Sequence, residues 1–312
     1  MRILVAHNAS AEHLAQIRQA APQAEVIVAR EAELVAEEMP RANIIWGSRY
    51  LNELLPQAKQ LDFIQVSSAG VDRLLTPELL QHPAQLVNAR GIHGATIAEH
   101  VFMLMLALAR DLPTVGKAQA RHEWVRTAPA MLAGATLGII GYGSIGQAIA
   151  RRAKAFDMQV IGLRRSVQSD PYADRMVDNS GLQELLQASD FVVLATPLTP
   201  ETHHLLGAAQ LAQMKPTAYL INIARGPVVD EVALIKALQA GQIAGAGLDV
   251  FVTEPLPADS PLWDLPNVLV TPHMAGHMPD YDERVIAIFL ENLRRYQQGQ
   301  PLINVVDKQA GY

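Results

Sequence analysis

Short apolar runs of four or five residues recur along the chain, each followed by a longer segment with helix-like spacing. Runs at 3–6, 25–28, 43–46, 63–66 and 85–88 form a first series. Runs at 136–140, 160–163, 191–195, 218–222, 247–250 and 267–270 form a second. Strand and helix alternating at this spacing predict βαβ units and mostly parallel sheets, an α/β fold with helices on both faces. The segment 96–110 is apolar nearly all round, Met103 and Met105 included, and predicts a helix buried in a core or at an interface. The last helical segment, 284–298, is amphipathic and rich in charge. It is expected to return to the first series, which gives a discontinuous domain of 1–97 and 284–312 and a second of 98–283.

Composition agrees with two domains, since 312 residues exceed what one core usually holds and 50% of them are apolar. The net charge of −6, with no long basic run, argues against nucleic acid and anionic membranes as partners. With no cysteine, the chain has no disulfide, no thiolate metal site and no cysteine nucleophile, which fits a reducing, cytoplasmic setting. Residues 1–6 read as a first strand rather than a signal peptide. The most apolar run, 101–109, is too short to span a bilayer and is bounded by His100 and Arg110. His203 and His204 are adjacent, a spacing expected to turn side chains apart, and have no acid cluster beside them, so no metal site is expected.

The run 136–140 ends in Gly141-Tyr142-Gly143-Ser144-Ile145-Gly146, and an alanine-rich segment follows. Strand, tight turn and helix in that order make a dinucleotide site. Gly141, Gly143 and Gly146 allow the sharp turn and let backbone N–H groups approach a pyrophosphate at a helix N-terminus. In this arrangement the second strand ends near the adenosine ribose, where an acid selects NAD(H) and an arginine suits the 2′-phosphate of NADP(H). Here that strand is followed by Arg164, Arg165 and Ser166, with no acid at the tip. The guanidinium fork and the hydroxyl favour NADP(H), with NAD(H) use still possible. The competing reading is a solvated basic turn.

Hydride transfer to a keto acid needs a cation for the carboxylate, a proton donor for the carbonyl oxygen, and a neighbour that keeps the donor charged. The second half of the chain offers one such set. Arg225 follows one strand, Glu254 the next and His273 the one after, so all three fall at the carboxyl edge of a parallel sheet, where open α/β folds bind ligands. Singly, each has a plainer reading: a surface arginine at a turn, a Glu254-Pro255 turn, a structural histidine among ten. His7, His93 and His100 read as packing or capping residues.

The order and spacing of these motifs resemble the D-isomer-specific 2-hydroxyacid dehydrogenase family. The similarity rests on the glycine turn, Asn222-Ile223-Ala224-Arg225-Gly226, Gly247-Leu248-Asp249-Val250-Phe251, Glu254-Pro255 and Thr271-Pro272-His273. Ser68-Ala69-Gly70-Val71-Asp72, Ala98-Glu99-His100 and the stretch from Ala195 to Thr202 add to it, so it runs over essentially the whole chain. The resemblance implies a Rossmann-type cofactor domain plus a flavodoxin-like substrate domain, with a cleft between them, in a homodimer. It implies that Arg225 binds the substrate carboxylate and carbonyl oxygen, that His273 is the acid/base and that Glu254 is its partner. Ser68, Ala69 and Gly70 would offer N–H groups to the carboxylate. Ser144, Ile145, Thr196, Pro197, Thr202, Ile223, Ala224 and Asp249 match positions that line the dinucleotide, Asp249 holding the nicotinamide amide.

The expected activity is NADPH-driven reduction of a small 2-keto acid such as glyoxylate, hydroxypyruvate or a pyruvate analogue to the D-2-hydroxy acid. The rivals are an NAD-linked relative of the phosphoglycerate dehydrogenase kind and a nucleotide-sensing corepressor-like protein. Trp46, Tyr50, Leu51, Met274 and Tyr281 are candidate pocket residues. His277, four residues past His273, has two readings, a residue that tunes the substrate pocket or, the favoured one, a cap for the final helix.

Overall fold

Twelve strands form, eleven of them at the apolar runs. They are β1 (Arg2–Val5), β2 (Glu25–Val28), β3 (Ile44–Trp46), β4 (Phe63–Gln65), β5 (Gln85–Val87), β6 (Thr136–Ile140), β7 (Gln159–Leu163), β8 (Arg175–Val177), β9 (Phe191–Leu194), β10 (Tyr219–Asn222), β11 (Gly245–Leu248) and β12 (Val268–Val270). The unforeseen one is β8, three residues at a sheet edge with Arg175 exposed, too short and too polar to leave a periodic signal. The computed structural model describes residues 1–312 and divides into two units, one of Met1–Ile92 with Met278–Tyr312 and one of His93–His277.

Both sheets are wholly parallel. The first unit orders its strands β2-β1-β3-β4-β5, the flavodoxin-like arrangement. The second orders them β12-β11-β10-β9-β6-β7-β8, so the sequence reverses direction between β6 and β9. That is the doubly wound order with one added strand, and the reversal opens a crevice at the carboxyl ends of β6 and β9. Apolar clusters cover both faces of each sheet. Leu137, Ile139 and Ile140 of β6 are at most 1% exposed, each burial stabilising the fold by about 1.5–3 kcal/mol.

The helix Gly94–Ala109 buries Ile97, Ala98, Val101, Phe102, Leu104, Met105, Leu108 and Ala109 in the second unit. Met103 and Leu106 stand exposed on the same helix, so the core of this unit covers one part of it and leaves the rest uncovered within the chain. In the first unit the helix Tyr281–Gln297 packs Val285, Ile286, Phe289 and Leu293 against the sheet, Phe289 stacking on Trp46 at 5.2 Å. Its N-cap position is Asp280, which leaves His277 outside the helix rather than capping it. No helix is long and apolar enough to cross a membrane.

Candidate active site

The glycine turn leaves β6 at the crevice. Gly141 has φ 95°, and a Cβ there would lie 2.5 Å from the Thr196 nitrogen, so a side chain is excluded both by conformation and by the loop after β9. Gly146 meets the Gly141 carbonyl oxygen in the same way at 2.9 Å, which lets the helix Ser144–Ala155 pack close to β6. At Gly143 a Cβ would meet nothing within 4 Å, so the space before the helix N-terminus is open. Two glycines required by packing and one facing open space are what a pyrophosphate needs at this turn. Ser144 begins the helix exposed and Ile145 is half-buried.

Around the turn, Arg164 is half-buried just past β7, while Arg165 and Ser166 are exposed. Thr196 and Pro197 follow β9. The Thr202 hydroxyl is engaged within that loop, donating to the Pro197 carbonyl at 2.7 Å and accepting from the Thr199 N–H at 2.8 Å. Ile223 and Ala224, past β10, are 8% and 6% exposed.

Register brings the remaining groups together. Asn222, Leu248 and Val270 are paired across β10, β11 and β12, so the loops that carry Arg225, Glu254 and His273 leave one edge of the sheet side by side. Asn222 builds the first loop, accepting from the Ala224 N–H at 3.0 Å and donating to the Arg225 carbonyl at 3.1 Å. The next residue, Gly226, has its backbone against Phe251, and any Cβ would overlap the Phe251 carbonyl. That contact sets the half-buried Arg225 beside the loop that carries Glu254. Glu254 accepts from the Phe251 N–H at 3.1 Å with one oxygen and from His273 Nδ1 at 2.9 Å with the other. The imidazole is 46% exposed, and its Nδ1 is the nitrogen that this carboxylate engages.

His273 has φ 49°, a left-handed conformation that a non-glycine residue adopts only when held. Asp249 holds it. The Asp249 carbonyl accepts from the His273 N–H at 2.8 Å, and its carboxylate accepts from the Met274 and Ala275 N–H groups at 2.9 Å each. The Thr271 hydroxyl also donates to Asp249, at 2.6 Å. With its proton so used, Thr271 can only accept from His100, so the neutral His100 ring carries its proton on Nε2, 2.9 Å away. Burial pushes the His100 imidazole below the ordinary histidine range, against the pull of Asp249, and favours that neutral form. Asp249 is 1% exposed and sits inside the catalytic-edge loop.

In the first unit, the loop after β4 turns its carbonyls inward. Ser67 accepts from the Tyr281 hydroxyl at 2.6 Å, Ser68 from the Ala89 N–H at 3.0 Å, Ala69 from Asn88 at 2.7 Å and Gly70 from the Ser68 hydroxyl at 2.8 Å. Two of the candidate pocket residues belong to the core instead: Trp46 and Leu51 are at most 1% exposed, because β3 is a central strand and Leu51 opens a helix beneath it. Tyr50 is half-buried at φ 56°, and Met274 is 42% exposed.

The profile of the D-isomer specific 2-hydroxyacid dehydrogenase NAD binding domain matches residues 102–275. The chain belongs to this family. It is an NAD(P)-dependent D-2-hydroxyacid dehydrogenase. A glyoxylate reductase of Korarchaeum cryptofilum is 38% identical over 264 residues, 83% of this chain and 80% of the relative. A glyoxylate/hydroxypyruvate reductase B of Pectobacterium carotovorum is 40% identical over 272 residues, 85% of this chain and 84% of the relative. A D-isomer specific 2-hydroxyacid dehydrogenase from Xanthobacter autotrophicus Py2, solved with NADPH and MES, superposes with a TM-score of 0.89. It is 32% identical, with 100% of this chain and 99% of that one covered.

For this dehydrogenase the sequence reading missed the Asp249–Thr271–His100 chain. His100, Asp249 and Thr271 each fall in a separate motif, and nothing local joins the helix Gly94–Ala109 to residue 271. Gly226 appears in the sequence only as the end of a motif, yet it sets the approach of two loops. Gly226→Ala is expected to destabilise the protein by about 1–3 kcal/mol, because the Phe251 backbone must give way to the methyl group. A thermal midpoint within error of the parent would remove that packing role.

Proposed function

We propose that this dehydrogenase reduces small 2-keto acids (glyoxylate, hydroxypyruvate and pyruvate-like acids) to D-2-hydroxy acids, with NADPH as the preferred cofactor. The observation that carries the reading is the 2.9 Å pairing of Glu254 with His273 Nδ1, which leaves Nε2 as the ring nitrogen not engaged by that carboxylate. A bound reduced nicotinamide would supply a hydride for the keto carbon. His273 gives its Nε2 proton to the carbonyl oxygen, and solvent restores it. Glu254 fixes the ring's orientation and offsets the imidazolium charge. Arg225 binds the carboxylate and polarises the carbonyl oxygen, since its planar fork can serve both groups. In the first unit, as the family resemblance implies, Ser68, Ala69 and Gly70 would offer N–H groups to a substrate carboxylate.

The turn at Gly141, Gly143 and Gly146 would receive the pyrophosphate, with Ser144 and Ile145 opening the helix behind it. Thr196, Pro197, Thr202, Ile223, Ala224 and Asp249 line the same edge. Support for NADPH comes from Arg164, Arg165 and Ser166 at the tip of β7, where no acid stands, and from the NADPH bound to the Xanthobacter relative. A cytoplasmic homodimer is the proposed working form. It fits a cysteine-free chain whose second unit exposes Met103, Leu106, Leu112 and Val115.

The test is loss of NADPH absorbance across a panel of keto acids, repeated with NADH. The ratio of kcat/KM values should favour NADPH by about 10-fold or more, the worth of one or two charge-assisted hydrogen bonds to the 2′-phosphate. Arg164→Asp should move the ratio toward NADH. Equal use of both cofactors would defeat the preference, and silence across the panel with nucleotide still bound would favour a sensor over a reductase.

A further inference from the structure

Tyr142 lies between the first two glycines of the turn, yet it is 1% exposed. Its ring fills the space beside Gly162 of β7, where any Cβ would collide with it, and adjoins Met176 of β8. The hydroxyl emerges at the far side and donates to Asp170 Oδ1 at 2.9 Å. Burial and that carboxylate drive the phenol far above the ordinary tyrosine range, so the donor persists at any working pH.

Asp170 gathers more than this one bond. The same oxygen accepts from the Tyr172 N–H at 2.9 Å, and the other accepts from Gln147 Nε2 at 3.2 Å, on the helix that begins at the glycine turn. Its carbonyl accepts from the Ala173 N–H at 3.2 Å. Asp170 therefore closes a turn in the β7–β8 connection and fastens it to the glycine turn and to the first turns of the following helix. Arg164, Arg165 and Ser166 lie on that connection, between the end of β7 and Asp170. Arg164 is held at the near side by its N–H, which donates to the Val177 carbonyl at 3.1 Å.

We propose that Tyr142 and Asp170, with Gln147, form a tether that fixes the position of Arg164, Arg165 and Ser166 relative to the glycine turn, and so act as positioning residues for cofactor selection. The proposal rests on the reading of that segment as the 2′-phosphate site. The two ends of an adenosine half, pyrophosphate and 2′-phosphate, are a fixed distance apart. A segment held in advance at that distance loses less chain freedom on binding. The benefit falls on the nucleotide that carries the 2′-phosphate, because NADH makes no contact that depends on where the guanidinium stands.

The test is Tyr142→Phe, which keeps the ring and removes only the hydroxyl. Its dissociation constant for NADPH, by fluorescence titration, should rise about three- to tenfold, the worth of one net hydrogen bond, while that for NADH stays within about twofold. Amide hydrogen exchange across 164–169 in the nucleotide-free protein should quicken. In an Asp170→Ala background the same substitution should add nothing further, since both act through one bond. Equal weakening of NADPH and NADH would make Tyr142 a general support of the glycine turn and overturn the proposal. Unchanged exchange at 164–169 would overturn it as well. Equal parental affinity for the two nucleotides would defeat the phosphate reading of Arg164 alone, and the exchange rates would still judge the tether.

Discussion

His273→Ala is expected to lower kcat by about 10²- to 10⁴-fold, the usual worth of a positioned general acid. NADPH affinity should stay close to that of the parent, since the imidazole lies on the loop after β12 and the glycine turn after β6, at different places along the sheet edge. The loss should fall on kcat and kcat/KM alike, because the proton is delivered only as the carbonyl oxygen gains charge. Glu254→Gln should do less damage: an amide oxygen can still accept from Nδ1 and hold the ring, while the charge that balances an imidazolium is gone. Steady-state rates at saturating NADPH, with a separate fluorescence titration of the cofactor, check this. Turnover near that of the parent in His273→Ala would remove the proton-donor role.

Arg225→Ala is expected to lower kcat/KM for the keto acid by about 10²- to 10³-fold, with much of the loss in KM. The side chain is half-buried on a loop whose shape Asn222 fixes through two hydrogen bonds, and its guanidinium donates to the Ala224 carbonyl at 2.7 Å, so part of the fork is held before substrate arrives. Arg225→Lys should recover only part of the loss. An ammonium restores the charge but cannot span a carboxylate oxygen and a carbonyl oxygen with two parallel N–H groups. Asn222 and Gly226 are unchanged in both variants, so the thermal midpoint should move little, and that separates a binding defect from a folding one. An unchanged apparent affinity for the keto acid would count against the assignment of Arg225 to the substrate.

Much of the architecture could be read from the chain because buried parallel strands leave uninterrupted apolar runs. Strand β8 escaped because an edge strand of three residues needs little apolar cover. Trp46 and Leu51 were placed in a pocket on residue type alone, yet burial belongs to position: β3 is flanked by β1 and β4, and a side chain there meets the core. The helix Gly94–Ala109 was legible as buried in a core or at an interface, and the structure of the chain places Ile97, Val101 and Met105 in the core while Met103 and Leu106 stand exposed. Among the site residues, Glu254 and His273 were legible as neighbours because each follows a strand and the strands are adjacent. Asp249 was legible as a polar residue at the edge, but the loop it organises was not.

By itself the sequence determined the alternation of strand and helix, the glycine turn that only an unencumbered backbone can make, and the chemical types gathered after successive strands. Those are local properties, set by side-chain shape, apolar spacing and backbone freedom within a few residues. Tertiary structure decided which ring nitrogen of His273 meets Glu254, what holds its left-handed backbone, where His100 keeps its proton and what Tyr142 grips. Each of these depends on the register of β10, β11 and β12 or on a loop folding back against the glycine turn. A hydrogen bond between groups distant in the chain exists only once packing has brought them within about 3 Å, and no local pattern encodes that distance.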